Sequence, residues 1–319
     1  MKKIFITRKI PKIAEDRLLE KKFQVTIWPD AFLPREELFY AVRNYDGIVS
    51  MLSDPLDEQV LANATQLQAI SNYAVGLDNI DVECAQKLGI AVYHLPHVVT
   101  NSTADLTLGL LLVLVRNICQ ANAYVRGGYW KGWSPDLFVG EELSGKTLGI
   151  IGFGRIGQAV ATRALSFGMK VVFSALSKKV VPQAFATKAV QVGQEELFAT
   201  ADVISLHIPL TPTTRGMIDL ASMRKMKKKP FLLNMARGSI IKTEDLVVAL
   251  QEGLLQGAAL DVTDPEPLDK DHPLFFLRNC FIVPHIGTAT KECRWNMAKI
   301  AAENLIVHFE TIRDHQKKS

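Results

Sequence analysis

Apolar runs of strand length alternate with helix-like stretches from Lys3 to about Tyr93. The pattern predicts strands at Ile4–Thr7, Val25–Trp28, Gly47–Met51, Leu67–Ser71 and Ile90–Tyr93. The helix-like stretches between them include Ala14–Lys21, Arg35–Arg43 and Leu56–Ala62. Alternation of this kind is typical of a parallel sheet with helices on its faces.

A second series of the same kind begins at Thr147. It continues through strands predicted at Lys170–Phe173, Val203–His207, Phe231–Asn234, Ala258–Asp261 and Phe281–Val283. The chain has 319 residues, more than one hydrophobic core usually spans. The sequence therefore predicts two α/β units in one chain.

Two further helices complete this picture. One has Asn101 or Ser102 as its predicted N-cap and stays apolar nearly all round to Val115 and beyond, so it must be buried on several sides. The other runs from about Lys291 to Ile312 and is too little for a domain, so we expect it to pack on the first unit. The chain would then cross between units near Pro96 and near Gly287, and in open α/β sheets such a cleft is the expected ligand site.

Composition and charge exclude several classes of protein. Hydrophobic residues make up 48% of the chain and the net charge is +4, values of an ordinary globular protein. The basic run Lys225–Lys229 has no interleaved aromatic residues, so we interpret it as a solvated helix end and expect no nucleic acid. No apolar run is long enough for a membrane span, and the amino terminus fits a first strand better than a signal peptide. The four cysteines show no CxxC spacing and no zinc-like pattern with nearby histidines, which predicts a reduced, cytoplasmic protein without a metal.

The motif Gly152-Phe153-Gly154-Arg155-Ile156-Gly157 follows a predicted strand and opens a predicted helix. In that context the first glycine permits a tight turn, the second lets the backbone approach a pyrophosphate, and the third lets the helix pack on the strand. The helix N-terminus then presents N–H groups to the anion. A glycine-rich turn without a ligand is the alternative, but the strand and helix around the motif favour a dinucleotide site.

Three polar residues follow predicted strands in the second series: Arg237, Glu266 and His285. Each alone has an ordinary explanation, as a surface ion-pair partner, a turn residue and a hydrogen-bonded histidine at a strand end. After a dinucleotide motif their combination changes the interpretation. Hydride transfer to a 2-oxo acid needs a cation for the carboxylate, a proton donor for the carbonyl oxygen and a group that sets the state of that donor.

These motifs together resemble the D-isomer-specific 2-hydroxyacid dehydrogenases. The similarity covers nearly the whole chain and includes Asn72–Asp81, which looks like the family's substrate-carboxylate loop, and Gly257–Val262. The segments Leu52–Asp54, Thr103–Leu106 and Trp130–Gly140 are most similar to glyoxylate/hydroxypyruvate reductases. The resemblance implies an α/β protein of two doubly wound parallel-sheet domains. One is a Rossmann nucleotide-binding domain, residues 98–287, and the other a flavodoxin-like substrate-binding domain, residues 1–97 and 288–319.

The resemblance also implies roles for individual residues. His285 would be the proton donor in reduction, hydrogen-bonded to Glu266, whose carboxylate favours the imidazolium. Arg237 would bind the carboxylate and polarise the carbonyl, and the substrate would also meet Leu52 and the backbone N–H groups around Val75 and Gly76. The residues implied at the cofactor are Thr103, Gly152, Gly154, Arg155, Ile156, Gly157, Ser174, Ala175, Leu176, Lys178, His207, Ile208, Pro209, Thr214, Met235, Ala236, Asp261, His285 and Gly287. Among them Asp261 would contact the nicotinamide carboxamide, with a strand-end cap as the alternative.

The corner after the second strand of the nucleotide unit favours NADP(H) over NAD(H). Members selective for NAD carry an acidic residue there for the ribose 2′-OH. This chain has Ser174-Ala175-Leu176-Ser177-Lys178-Lys179 and no acid. Uncharged and basic side chains suit a 2′-phosphate, although Leu176 stands where relatives selective for NADP often have arginine.

Other activities and a partner stay open at this point. Within the family the alternatives are another short D-2-hydroxy acid or phosphite, whereas Glu266 disfavours formate. A nucleotide-sensing corepressor-like binding protein shares the scaffold, but the chain lacks the extended terminal tails we expect of one. We expect a homodimer built on the helix Ser102–Arg116 and the loop Trp130–Trp133. The bland interpretation of that loop is a segment anchored on its own chain.

Overall fold

The computed structural model describes residues 1–175, 185 and 188–318, without the side chains of 314–318. Two compact units make up the chain. The first unit contains Met1–Val99 and Thr288–Ser319, and the second contains Thr100–Gly287.

The first unit is built on a five-stranded parallel sheet. Its strands are β1 (Lys3–Ile6), β2 (Gln24–Ile27), β3 (Gly47–Ser50), β4 (Ala69–Asn72) and β5 (Ala91–Tyr93). Its helices are α1 (Ile13–Glu20), α2 (Arg35–Asn44), α3 (Glu58–Leu61), α4 (Val82–Lys87) and the terminal α11 (Lys291–Lys318). The strand order β2-β1-β3-β4-β5 is that of flavodoxin-like folds.

The second unit contains a seven-stranded parallel sheet in the described part of the chain. Its strands are β6 (Thr147–Ile151), β7 (Lys170–Ser174), β8 (Ala189–Gln191), β9 (Val203–Leu206), β10 (Phe231–Asn234), β11 (Gly257–Leu260) and β12 (Cys280–Ile282). Its helices are α5 (Thr100–Val115), α6 (Ile118–Arg126), α7 (Arg155–Ser166), α8 (Gln194–Thr200), α9 (Leu220–Arg224) and α10 (Thr243–Gln251).

The order of this sheet is β12-β11-β10-β9-β6-β7-β8, so the direction of the strand order reverses between β6 and β9. That reversal is the switch point of a Rossmann fold, where ligands bind beyond the carboxyl ends of the strands. The predicted fold class, two doubly wound parallel-sheet units, is confirmed.

Hydrophobic burial explains why both sheets lie inside their units. All four residues of β3, β4, β9, β10 and β11 are buried. Strands covered on both faces need continuous apolar runs rather than alternation. Separate apolar clusters lie on the two faces of the second sheet, and α5 and α7 pack together within one of them.

Two helix boundaries, the start of α5 and the end of α11, differ clearly from the sequence predictions. Helix α5 begins at Thr100, so Asn101 and Ser102 lie inside the helix and the predicted N-cap is wrong. Arg116 and Asn117, the latter with φ 51°, separate α5 from α6. Helix α11 continues to Lys318, beyond the predicted Ile312, and packs against α1 and β4.

The burial predicted for the apolar helix is confirmed, because α5 contacts α7, β10 and β11 and buries eight of its residues. Among the described residues no single helix has both the length and the apolar character to cross a bilayer, and α5 and α6 pass that test only as a pair bent by 64°.

Candidate active site

The glycine turn joins β6 to α7 and has the geometry that its sequence predicts. Gly152 has φ 97°, and a Cβ there would lie 2.4 Å from the carbonyl oxygen of His207. A Cβ at Gly157 would lie 2.2 Å from the carbonyl oxygen of Gly152, so this glycine permits the helix to pack on the turn. A Cβ at Gly154 would meet nothing within 4 Å. The first and third glycines are therefore required by the protein's own packing, and the second opens space.

Residues beside these glycines fix the turn in place. Phe153 is 2% exposed and stacks on Phe173 of β7 with ring centroids 3.8 Å apart. The N–H of Gly152 donates to the carbonyl of Ser174 at 3.0 Å. Arg155 and Ile156 form the first turn of α7, Arg155 exposed and Ile156 half-buried. The helix N-terminus has no side-chain cap, so its first N–H groups lack a protein partner of that kind.

The end of β7 carries the corner that would distinguish the two nucleotides. Ser174 is buried and Ala175 is half-buried. Leu176 and Lys178 lie outside the described residues. The described part of this corner therefore carries a hydroxyl and a methyl group, with no carboxylate.

The segment after β9 lies beside the glycine turn. Nε2 of His207 is 2.8 Å from Oγ of Ser205, and Nδ1 is buried without a hydrogen-bond partner among the described residues. Burial lowers the pKa of His207 to about 3, so the ring is neutral at physiological pH. Ile208 is half-buried and Pro209 is exposed.

Thr214 stabilises the loop after β9 through hydrogen bonds to its backbone. Its hydroxyl donates to the carbonyl of Pro209 at 2.8 Å and accepts the N–H of Thr211 at 2.8 Å, and the residue is 3% exposed. This position shapes the loop after β9, which is the role that the described contacts support.

Asn234 shapes the loop that carries Arg237. Asn234 is 1% exposed; its Nδ2 donates to the carbonyl of Arg237 at 2.8 Å and its Oδ1 accepts the N–H of Ala236 at 3.1 Å. Met235 is buried and Ala236 is half-buried. Nη1 of Arg237 donates to the carbonyl of Ala236 at 2.8 Å. The sequence pattern predicts Asn234 only as the last residue of a strand and gives its side chain no role.

Asp261 follows β11 and holds the segment that follows β12. Its two carboxylate oxygens accept the N–H groups of Ile286 at 2.6 Å and Gly287 at 2.9 Å. Burial raises the pKa of Asp261, although both backbone hydrogen bonds oppose that rise. The hydroxyl of Thr103 donates to the carbonyl of Gly287 at 3.3 Å. Asp261 thus acts as a strand-end cap, and a contact with a carboxamide would share oxygens already in use.

His285 and Glu266 come together as the sequence suggested. Nδ1 of His285 is 2.6 Å from Oε1 of Glu266. The side chains are 22% and 38% exposed. A carboxylate on Nδ1 fixes the ring tautomer and orientation and leaves Nε2 to meet a substrate.

The predicted substrate residues of the first unit follow β3 and β4. Leu52 and Val75 are each 38% exposed, and Gly76 is half-buried. Because β3 and β4 are neighbouring parallel strands, their following loops lie at one edge of the sheet. Arg237, Glu266 and His285 likewise follow the carboxyl ends of three successive strands, β10, β11 and β12, in the second unit.

The described residues of the second unit fit a dinucleotide. The space at Gly154 and the uncapped N-terminus of α7 occur together, which is the arrangement that binds a pyrophosphate. Both Gly154 and the N-terminus of α7 follow the carboxyl end of β6, beside the switch point between β6 and β9.

Comparison with known proteins agrees with this geometry. Residues 108–287 match the family "D-isomer specific 2-hydroxyacid dehydrogenase, NAD binding domain". A glyoxylate reductase from Thermococcus litoralis is 45% identical over 310 residues, covering 95% of this chain and 92% of the relative.

Solved structures give the same result over the whole fold. The TT0316 protein from Thermus thermophilus superposes with a TM-score of 0.91 at 46% identity, over 97% of both chains. An NADPH-dependent glyoxylate/hydroxypyruvate reductase from Sinorhizobium meliloti, solved with NADP and malonate, has a TM-score of 0.85 at 27% identity, over 97% of this chain and 94% of that one.

Proposed function

Because the chain belongs to the D-isomer-specific 2-hydroxyacid dehydrogenase family, we propose that it reduces glyoxylate and hydroxypyruvate to the 2-hydroxy acids. Family membership makes it an NAD(P)-dependent oxidoreductase acting on CH–OH groups. The product would have the D configuration where the carbon is chiral. The observation that carries the proposal is the 2.6 Å contact between Nδ1 of His285 and Oε1 of Glu266.

His285 is the proton donor in this proposal. With Glu266 on Nδ1, the proton that reaches the carbonyl oxygen leaves from Nε2. When bound, the reduced nicotinamide supplies the hydride to C2 of the substrate. One hydride and one proton convert the carbonyl to an alcohol, and in the oxidative direction the neutral imidazole takes the proton back.

Arg237 binds the substrate carboxylate and polarises the carbonyl. A planar guanidinium offers parallel donors that match a carboxylate. The loop fixed by Asn234 supports this role, because both the carbonyl of Arg237 and the N–H of Ala236 are held by one buried side chain. The backbone N–H groups around Val75 and Gly76 would bind the same carboxylate, and Leu52 would contact the substrate.

NADPH is the proposed electron donor. The family domain binds NAD and one similar structure was solved with NADP, so either dinucleotide fits the family. Preference for NADPH is supported by the sequence Ser174–Lys179, which offers hydroxyls and lysines without a carboxylate. In NAD-selective proteins an acidic residue accepts hydrogen bonds from the ribose hydroxyls, and its charge would repel a 2′-phosphate. This chain has no acidic residue in that segment.

A cytoplasmic location is part of the proposal. All four cysteines, Cys84, Cys119, Cys280 and Cys293, are free thiols in the structure. Burial raises the pKa of Cys280 to about 12, which keeps this thiol protonated and unreactive. A set of free cysteines is typical of a reducing compartment.

Steady-state turnover tests the function directly. Purified protein would be assayed with glyoxylate, hydroxypyruvate, pyruvate and other short 2-oxo acids, each with NADPH and with NADH. In the oxidative direction it would be assayed with phosphite and with NADP⁺ or NAD⁺ as the hydride acceptor. We expect the highest kcat/KM for glyoxylate or hydroxypyruvate. Higher kcat/KM for another acid or for phosphite would replace the substrate, and nucleotide binding without turnover would favour the corepressor-like alternative.

A further inference from the structure

In the loop after β4, three successive backbone carbonyls each lie within hydrogen-bond distance of a donor elsewhere in the first unit. The carbonyl of Ala74 accepts the N–H of Leu95 at 2.9 Å. The carbonyl of Val75 is 3.1 Å from Nδ1 of His94, and the carbonyl of Gly76 accepts Nδ2 of Asn72 at 2.9 Å. We call Asn72 and His94, with the backbone of Leu95, the carbonyl clamp.

Holding a carbonyl also fixes the direction of the N–H in the same peptide. A trans peptide is planar, and its C=O and N–H point in opposite directions. The clamp on Ala74, Val75 and Gly76 therefore orients the N–H groups of Val75, Gly76 and Leu77 away from the clamp. Within the described residues none of these three N–H groups donates a hydrogen bond. Three oriented donors on neighbouring residues, none with an acceptor among the described residues, are available to an anionic ligand.

Asn72 is a buried, hydrogen-bonded residue of the first unit. Its side chain is fully buried, and Oδ1 accepts the hydroxyl of Ser50 at 3.0 Å. Nδ2 also donates to Oδ1 of Asn79 at 3.0 Å. Nδ2 of Asn79 in turn donates to the carbonyls of Met51 and Asp54, each at 3.0 Å. The clamp is thereby joined to the loop after β3, which carries Leu52.

A buried carboxylate anchors that second loop. Oδ2 of Asp54 accepts the hydroxyl of Thr7 at 2.5 Å and the N–H of Met51 at 2.7 Å. Burial raises the pKa of Asp54, and the two hydrogen bonds and Arg8 oppose the rise. Loops following β1, β3 and β4 are therefore connected by one set of hydrogen bonds.

We propose that Asn72 and His94 are positioning residues that aim the N–H groups of Val75, Gly76 and Leu77 at the substrate carboxylate. The inference rests on the proposed function, which places the substrate carboxylate on this loop. Preorganised donors bind an anion without the cost of ordering the loop. Loss of the clamp should weaken carboxylate binding in the ground state and in the transition state alike, which raises KM and leaves kcat nearly unchanged.

The test uses four variants: two that remove a hydrogen bond of the clamp, one that restores it and one control. In Asn72→Ala both donations from Nδ2 are lost. In His94→Leu one donation on a partly solvated side chain is lost, so this variant should fold even if the first does not. His94→Asn returns an N–H donor close to the position of Nδ1. The control Asn44→Ala removes a donation to the carbonyl of Tyr40 at the end of α2, at the opposite edge of the sheet.

We expect KM for glyoxylate to rise about tenfold in Asn72→Ala and about threefold or more in His94→Leu, the effect of one or two lost hydrogen bonds. In both variants kcat should stay within about twofold and Kd for NADPH should not change. His94→Asn should recover most of the lost affinity, and Asn44→Ala should match wild type. Amide exchange in residues 74–77 should accelerate in Asn72→Ala.

The contrary outcomes are distinct. If wild type reduces glyoxylate and Arg237→Ala raises KM, but His94→Leu and Asn72→Ala leave KM unchanged, the clamp is not a positioning device. A fall in kcat at constant KM, or no recovery in His94→Asn, would overturn it as well. Absence of turnover with every 2-oxo acid would reject the proposed function, and the inference with it.

Discussion

His285 has a backbone conformation that its neighbours must maintain. Its φ is 52°, and a non-glycine residue in the left-handed region costs on the order of 1 kcal/mol. Its N–H donates to the carbonyls of Asp261 at 2.9 Å and Val283 at 3.0 Å, and the next two N–H groups donate to the Asp261 carboxylate. Asp261 therefore holds the peptide that presents the imidazole of His285, the proposed proton donor.

Replacing His285, the proposed proton donor, should affect the chemical step rather than cofactor binding. In His285→Gln the side chain remains polar but cannot deliver a proton. We expect kcat to fall by roughly two to four orders of magnitude, with Kd for NADPH nearly unchanged. Single-turnover rates and fluorescence titration would measure the two quantities. A variant that kept more than about a tenth of wild-type kcat would remove His285 from this role.

Arg237→Ala should instead change both kinetic constants. The guanidinium would hold the ground-state carboxylate and also stabilise the charge that develops on the carbonyl oxygen, so KM should rise and kcat should fall. Arg237→Lys keeps the charge without the two-pronged geometry and should lie between wild type and Arg237→Ala. An unchanged KM for glyoxylate in Arg237→Ala would count against the carboxylate contact.

Cofactor preference should depend on the residue at the end of β7. A 2′-phosphate brings nearly two negative charges to a corner where the described residues, Ser174 and Ala175, carry no carboxylate. We expect NADPH to be preferred by about 1 to 3 kcal/mol, roughly five- to a hundredfold in kcat/KM. Ala175→Asp should erode or reverse that preference. Initial rates at matched subsaturating cofactor decide it, and equal or faster reduction by NADH in wild type would reject the preference.

At the scale of elements, apolar runs located the long buried strands because continuous burial leaves a clear signal. Strand β8 was not predicted, since it has only three residues and Val190 is 58% exposed. The start of α5 was misplaced because Asn101 and Ser102 are good cap residues by type. Ser102 instead lies within the first turn of the helix, where its side chain is buried. Local propensity could not reveal that packing, which depends on elements distant in sequence.

The candidate site divides in the same way. Arg237, Glu266 and His285 follow strand ends and have side chains whose chemistry suggests a role, so the sequence indicated them. Asn234, His94 and the role of Asn72 were missed. Each of these side chains acts by holding a backbone carbonyl, and no sequence pattern records which carbonyl lies within reach.

The glycine turn gives a matched pair of substitutions. Gly154→Ala places a methyl group where no described atom lies within 4 Å, so the thermal stability should stay close to wild type while cofactor affinity falls. Gly157→Ala places it 2.2 Å from the carbonyl oxygen of Gly152, so stability should fall. Thermal unfolding and NADPH titration of both variants test the pair. Normal NADPH affinity in Gly154→Ala would show that the open space is not the phosphate site.

At the scale of the whole molecule, one local pattern gives two different sheets. Both units alternate strands and helices, yet their strand orders are β2-β1-β3-β4-β5 and β12-β11-β10-β9-β6-β7-β8. Alternation predicts parallel pairing but does not choose which strands are neighbours. The resemblance of the motifs to a family supplied that choice, and the confirmed fold depends on it.

The oligomeric state is predicted from the exposed apolar side chains of the second unit. Helix α5 already buries eight residues within its own unit, so its apolar character alone does not require a partner. Helix α6 buries none of its residues, and exposed apolar side chains continue after it. The large exposed apolar side chains of α6 and of the segment after it are Ile118, Val125, Tyr129, Trp130, Trp133 and Val139. Large exposed apolar side chains concentrated in one segment of a chain are typical of a protein interface.

We therefore expect a homodimer in which this surface, continuous in sequence with α5, packs against a second copy of the chain. Trp133→Glu combined with Val125→Glu should produce monomers, because two buried charges without partners would oppose association. The control Phe32→Glu changes a residue that is 79% exposed in the first unit and should leave the dimer intact. Sedimentation at micromolar concentration measures the result. A wild-type protein that sediments only as a 35.4 kDa species would contradict the prediction.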